Sequence, residues 1–66
     1  MRFILVHNEH GKILRINVEA IDYYKEARLL KENKDIIGTH MGLRNTTVFL
    51  QETPDEIDQY FNLMWR

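Results

Sequence analysis

TTVFLQETPDEI, residues 46–57, contains the strongest structural signal in the chain, a helix start directly after a strand. Thr53 is the predicted N-cap of that helix, Pro54 its first residue and Glu56 its third, which together form a capping box with the proline that helix starts prefer. The apolar residues that follow at helical spacing must lie against a sheet, and they are Ile57, Tyr60, Phe61 and Met64. The stretch therefore predicts a strand over about 46–51 and a helix over about 54–64.

The N-terminal part of the chain predicts a β-hairpin. Residues 2–7 contain a compact apolar and β-branched run, which we interpret as a strand buried on both faces. Residues 12–17 alternate at period two, with Leu14 and Ile16 on one face and polar side chains on the other. Gly11 lies between the two runs and can adopt the positive φ that a tight hairpin turn requires.

The middle of the chain, residues 18–32, allows two interpretations. Asn17 can cap a helical turn that begins at the next residue, because its side-chain oxygen can accept an unpaired backbone N–H. Apolar residues then recur at helical spacing among good helix formers, which favours a helix on propensity alone. The alternative is one capped turn followed by a strand over about 21–30. A further strand is predicted over about 35–41, with turns on either side.

These elements predict one α+β domain over residues 1–66, a small antiparallel sheet of four to five short strands, barrel-like or open, with one C-terminal helix packed on it. A chain of 66 residues buries only about 60% of its unfolded surface. Such a core supplies no more than about 3–5 kcal/mol of net stability. The chain has no cysteine to form disulfides, so we expect a homo-oligomer instead.

Charge and hydropathy narrow the choice of partners. Nine basic and ten acidic side chains are interspersed and give a net charge of −1. This balance attracts neither a polyanion nor a bilayer, which argues against nucleic acid and against membrane insertion. The N-terminal apolar run is too short for a signal-peptide core or a membrane span. Since cysteine is also absent, we expect a cytoplasmic location.

The residues with reactive side chains predict no enzyme and no cofactor. His7, His10 and His40 have the ligand type that zinc accepts, but a lone His-x-x-His is non-specific. We interpret the three histidines as solvent-facing turn residues rather than a metal site. The carboxylates of residues 52–58 resemble an acid–base pair, yet capping and the helix dipole already explain Asp55 and Glu56.

Several short motifs together resemble the small flagellar and swarming-motility accessory proteins. They are Gly11-Lys12, Ile16-Asn17-x-Glu19-x-Ile21, Ile36-Ile37 ahead of Gly42, and Leu50-Gln51-Glu52-Thr53-Pro54-x-Glu56-Ile57. The likeness extends in order over nearly the whole chain, although the segments after Ile21 and after Gly42 are longer than in that family. The resemblance implies that Ile21–Tyr24 is a strand and that the role is accessory rather than catalytic.

We therefore expect a non-catalytic protein-interaction or accessory module. Tyr23, Tyr24 and Trp65 are the candidate interaction residues, because aromatic anchors dominate protein interfaces. The alternative is a small nucleic-acid-binding regulatory domain, since β-rich domains read RNA or DNA through aromatic and basic residues on a sheet. Acidic residues neighbour the basic ones of segment 19–35 and nearly cancel them. Asn17, Thr53 and Glu56 have structural roles as caps.

Overall fold

The computed structural model describes residues 2–64, which form five strands, one 3₁₀ turn and one helix. The elements are β1 (Phe3–His7), β2 (Ile13–Asn17), a 3₁₀ turn (Val18–Ala20), β3 (Ile21–Lys31), β4 (Lys34–Leu43), β5 (Thr47–Leu50) and α1 (Pro54–Met64). The α+β class, the antiparallel pairing and the C-terminal helix on the sheet are confirmed. Trp65 lies outside the described residues.

The strands form two antiparallel sheets that pack around one core and are linked through their backbones where β1 and β5 end. β1 and β2 form a hairpin, and β3, β4 and β5 form a meander in that order. The Gln51 N–H donates to the His7 carbonyl at 2.8 Å, and Asn8 and Leu50 form an isolated bridge beside it. The end of β1 therefore meets the end of β5. Because β2 and β3 are edge strands among the elements of residues 2–64, the sheet is open rather than a closed barrel.

The ambiguous segment is a turn followed by a strand, so the helical interpretation of residues 18–32 is wrong. Asn17 is a confirmed cap, because its Oδ1 accepts the Glu19 N–H at 3.0 Å. β3 has 11 residues, close to the alternative strand over about 21–30, whereas β4 has 10 and is longer than the predicted strand over about 35–41. Glu32 and Asn33 have φ of 52° and 62°, as a two-residue hairpin turn requires. Tertiary pairing thus overrides local helix propensity.

β1 is buried on one face only, which contradicts the interpretation of a strand buried on both. Ile4 and Val6 are buried, whereas Phe3 and Leu5 on the opposite face are exposed. The two sheets and α1 enclose a single core, and its buried members are Ile4, Val6, Ile16, Met41, Leu50 and Ile57. The apolar character of the outer face of β1 is therefore not explained by this core.

α1 begins where the capping box predicts. The Glu56 N–H donates to Thr53 Oγ1 at 3.3 Å, and the Thr53 hydroxyl lies 3.4 Å from a Glu56 carboxylate oxygen. Ile57 is fully buried, while Tyr60 and Phe61 are partly buried against the core. No helix within residues 2–64 is long and apolar enough to cross a membrane.

Replacing Thr53 by alanine removes the acceptor for the Glu56 N–H and is expected to cost about 1 kcal/mol. For a domain of this size, that loss corresponds to a decrease of about 4–8 °C in the thermal midpoint. Thermal unfolding followed by circular dichroism measures it. Thr53→Ser keeps the acceptor and serves as the control, and a Thr53→Ala midpoint equal to that of the parent would contradict the assigned cap.

Candidate interaction surfaces

The outer side of the β1–β2 hairpin carries three exposed apolar side chains. Residues directly opposite each other on antiparallel strands share a face, and Leu5 pairs with Arg15 while His7 pairs with Ile13. Phe3, Leu5 and Ile13 lie on that outer face and are 49%, 52% and 63% exposed. We call these three residues the hairpin face. Arg15 is exposed beside them, directly opposite Leu5.

The three-stranded sheet has an aromatic row on its outer side. His40 pairs with Lys25 on one neighbouring strand and with Phe49 on the other, so the three side chains share a face. The Tyr23 ring meets the His40 ring edge-on, with 5.8 Å between centroids and 73° between planes. We call Tyr23, His40 and Phe49 the aromatic face.

Two glycines make room for the aromatic face. A Cβ at Gly42 would collide with the Tyr23 ring, and a Cβ at Gly38 would collide with the Phe49 ring and the Leu50 carbonyl. Both rings therefore lie close against glycine, where a larger residue would not fit. Tyr23 remains 47% exposed and presents its ring to solvent.

Tyr24 points to the other side of the sheet and contacts α1. Its hydroxyl donates to Asp58, and its ring stacks on Phe61 with a centroid separation of 5.8 Å. Desolvation, together with the hydrogen bond to the Asp58 carboxylate and its charge, raises the pKa of Tyr24 to about 12. Tyr24 thus holds α1 against β3, and it shares no surface with Tyr23.

Glu52 connects three parts of the fold, a role that the sequence interpretation did not predict. Its two carboxylate oxygens accept the His7 backbone N–H at 2.8 and 3.1 Å, and the His7 Nδ1 lies 2.7 Å from Oε2. Its backbone carbonyl accepts the buried Thr39 hydroxyl at 2.7 Å. The side chain is nearly buried although it is acidic. Glu52 therefore ties the end of β1 and the middle of β4 to the segment before α1.

Replacing Glu52 by alanine leaves a β1 N–H without its acceptor and removes the partner of the His7 ring. An unsatisfied buried donor costs about 1–3 kcal/mol, and because the His7 N–H is only partly buried, we expect a loss of about 1 kcal/mol in unfolding free energy. Chemical denaturation followed by circular dichroism measures it. Glu52→Gln retains one acceptor oxygen, so its unfolding free energy should lie between those of the parent and the alanine variant. An alanine variant as stable as the parent would show that the His7 contacts contribute nothing.

The three histidines lie in different parts of the fold. His7 ends β1 and His40 belongs to β4, so only His10 lies in a turn and the prediction of three turn histidines is wrong for the other two. Among residues 2–64, no group of three or more His, Cys, Asp or Glu residues could hold a metal ion. No pocket is found in this described part of the chain.

Comparison with known proteins identifies no relative of the chain. No protein-family model, curated protein or solved structure matches the chain. The resemblance to motility accessory proteins therefore stays a prediction from the sequence.

Proposed function

We propose that the chain is a non-catalytic protein-interaction module and that the hairpin face is its binding surface. The observation that supports this proposal is the contrast between the two sides of β1, one buried in the core and the other apolar yet exposed. Phe3, Leu5 and Ile13 together form an apolar patch rimmed by polar side chains, the kind of surface that marks interaction sites. A partner that covers it would give β1 the two-sided burial that its sequence pattern favours.

The charge beside the hairpin face defines the chemistry of the partner. Arg15 is the exposed cation opposite Leu5. A complementary surface is therefore apolar at its centre and offers a carboxylate to Arg15 at its rim, because complementary charges set register and association rate. In keeping with the sequence resemblance, we propose that the chain is an accessory to a larger assembly. The short N-terminal apolar run and the lack of cysteine favour the cytoplasm, and the small core favours self-association of the chain.

A pair of charge substitutions tests the role of the hairpin face. Leu5→Glu puts a carboxylate in the middle of the apolar patch, whereas Lys12→Glu adds a carboxylate in the adjoining turn, outside the patch. Tagged parent and variant chains are expressed in the native host, and the proteins that elute with each are identified. We expect one discrete partner with the parent and with Lys12→Glu, reduced at least tenfold with Leu5→Glu. Equal recovery with all three folded chains would contradict the proposal.

The aromatic face favours a second candidate function, the binding of single-stranded nucleic acid. Register places Lys25 and Lys34 on the side of the aromatic face, whereas Glu26 pairs with Thr39 on the opposite side. Glu26, one of the acidic residues that offset the basic charge of this segment, thus lies on the opposite side of the sheet from these lysines. Bases stack on exposed aromatic rings, and lysines follow the phosphates.

A binding titration tests this second candidate. Fluorescence anisotropy with a labelled single-stranded oligonucleotide should show an affinity that falls as salt concentration rises, and Tyr23→Ala should weaken it. Leu5→Glu is the control, since it leaves the aromatic face unchanged. Absence of binding at low salt would exclude this function.

A further inference from the structure

β3 has a long unpaired edge. The pairing of β3 with β4 is continuous from Tyr24–Met41 to Lys31–Lys34, and on its other side β3 pairs with no strand formed by residues 2–64. Unpaired edges are templates for another strand. Glu26 and Arg28, exposed residues of opposite charge, lie two positions apart in the middle of this edge.

The outer half of the β3–β4 hairpin is a two-stranded ribbon. β5 pairs with residues 39–42 of β4, so within residues 2–64 no third strand pairs along residues 27–38, which we call the arm. Leu30 and Ile37 are 70% and 45% exposed on one side of the arm, where they are diagonal neighbours. A two-stranded ribbon is at best marginally stable in water. The arm therefore has both apolar side chains and backbone groups that a further strand would cover.

The turn at the tip of the arm determines which backbone groups face the open edge. In a two-residue hairpin the flanking residues, here Lys31 and Lys34, form a hydrogen-bonded pair, and the pairs alternate from there. The odd-numbered residues of β3 from 25 to 31 thus bond to β4. The even-numbered residues from 24 to 30 direct their N–H and C=O groups away from β4, toward the open edge.

We propose that a second copy of this chain pairs with this edge, β3 against β3 in antiparallel orientation, with the two-fold axis at Ala27. Glu26 of each copy then lies opposite Arg28 of the other, and Tyr24 lies opposite Leu30 of the other. All these residues are even-numbered, so each pair can exchange two backbone hydrogen bonds. This dimer rests on the proposed function, because both require that the chain acts through protein contacts. The β3 edge is the surface through which the chain would self-associate.

Charge selects this register over its neighbours. In a two-fold antiparallel pair, the residue on the axis lies opposite its own copy. An axis at Lys25, Glu26 or Arg28 would place two like charges directly opposite each other, which is destabilising. The axis at Ala27 instead creates an opposite-charge pair twice, because the symmetry repeats it. It also covers the exposed Leu30 with the half-buried Tyr24 of the other copy.

Two opposite charge reversals test the register. Glu26→Arg places arginine opposite Arg28 of the second copy, and Arg28→Glu places two glutamates opposite each other. Sedimentation velocity at micromolar concentrations should show the parent at twice the 8.0 kDa chain mass. We expect each variant alone to dissociate with a Kd at least tenfold weaker than the parent. An equimolar mixture should form a one-to-one heterodimer, since both cross-copy pairs between positions 26 and 28 then join opposite charges.

The controls separate this proposal from folding defects and from the proposed function. Circular dichroism establishes that each variant is folded, and Lys34→Glu on the other side of the arm should leave the dimer intact. A monomeric parent, variants that dimerise like the parent, a mixture that stays monomeric, or a ring larger than a dimer would each overturn the β3 pairing. Loss of partner binding in Leu5→Glu concerns the hairpin face alone, so the two proposals can fail separately.

Discussion

Replacing Ile57 by alanine is expected to remove most of the stability of the protein. Ile57 is fully buried and is the residue through which α1 contributes to the buried core. An Ile→Ala change in a core costs about 2–5 kcal/mol through lost burial and the cavity left behind. A domain this small has only about 3–5 kcal/mol in total. The variant should therefore be largely unfolded, or have a strongly lowered urea midpoint, when parent and variant are compared by circular dichroism.

Gln59→Ala is the matched control for Ile57→Ala. Gln59 lies on the same helix but is exposed, and surface substitutions of this kind change stability by about 0.5 kcal/mol or less. If both variants unfolded at the same urea concentration as the parent, α1 would not be packed on the sheets as described.

Replacing Gly38 by alanine is expected to separate β4 from β5. The new Cβ would collide with the Leu50 carbonyl, a backbone group that cannot move without disturbing the neighbouring pair Thr39–Leu50. An extra methyl group in a tightly packed site typically costs about 1–3 kcal/mol, and we expect about 3 kcal/mol here because backbone must shift. Amide hydrogen exchange should show lost protection in β5, together with a lower thermal midpoint.

Gly42→Ala distinguishes a backbone collision from a side-chain collision. Its Cβ would meet the Tyr23 ring, and Tyr23 is exposed enough to swing away. We expect a loss of about 1 kcal/mol, at the low end of the range for overpacking. A Gly38→Ala variant no less stable than Gly42→Ala would contradict the close approach of β4 to Leu50.

Local signals predicted the ends of elements well. The Thr53 cap and the Asn17 cap each depend on residues within one turn of each other. The Glu56 N–H donates to Thr53 Oγ1, and the Glu19 N–H donates to Asn17 Oδ1. Local signals did not predict β3, because local propensity favoured a helix. Pairing with β4 makes residues 21–31 a strand. The resemblance to a family implied that outcome where the residues alone did not.

The surfaces were harder to predict, because they depend on which sides of the strands the fold covers. An apolar run such as residues 3–6 predicts burial on both faces, and the structure covers only one. Glu52 is 45 residues from His7 in the sequence, and no local pattern links an acidic residue before a helix to the end of a distant strand. Tyr23 and Tyr24 are adjacent in sequence, but successive strand residues point to opposite sides.

Site-specific photo-crosslinking in the native host tests the proposed function most directly. A photoreactive residue replaces Leu5 on the hairpin face and, in a second chain, Thr47, which pairs with Gly42 on the side of the aromatic face. We predict that position 5 forms one discrete protein adduct and that position 47 does not form the same adduct. No adduct at position 5, or equal adducts at both positions, would contradict the hairpin face as the binding surface. A nuclease-sensitive adduct from position 47 alone would instead support the aromatic face as a nucleic-acid site.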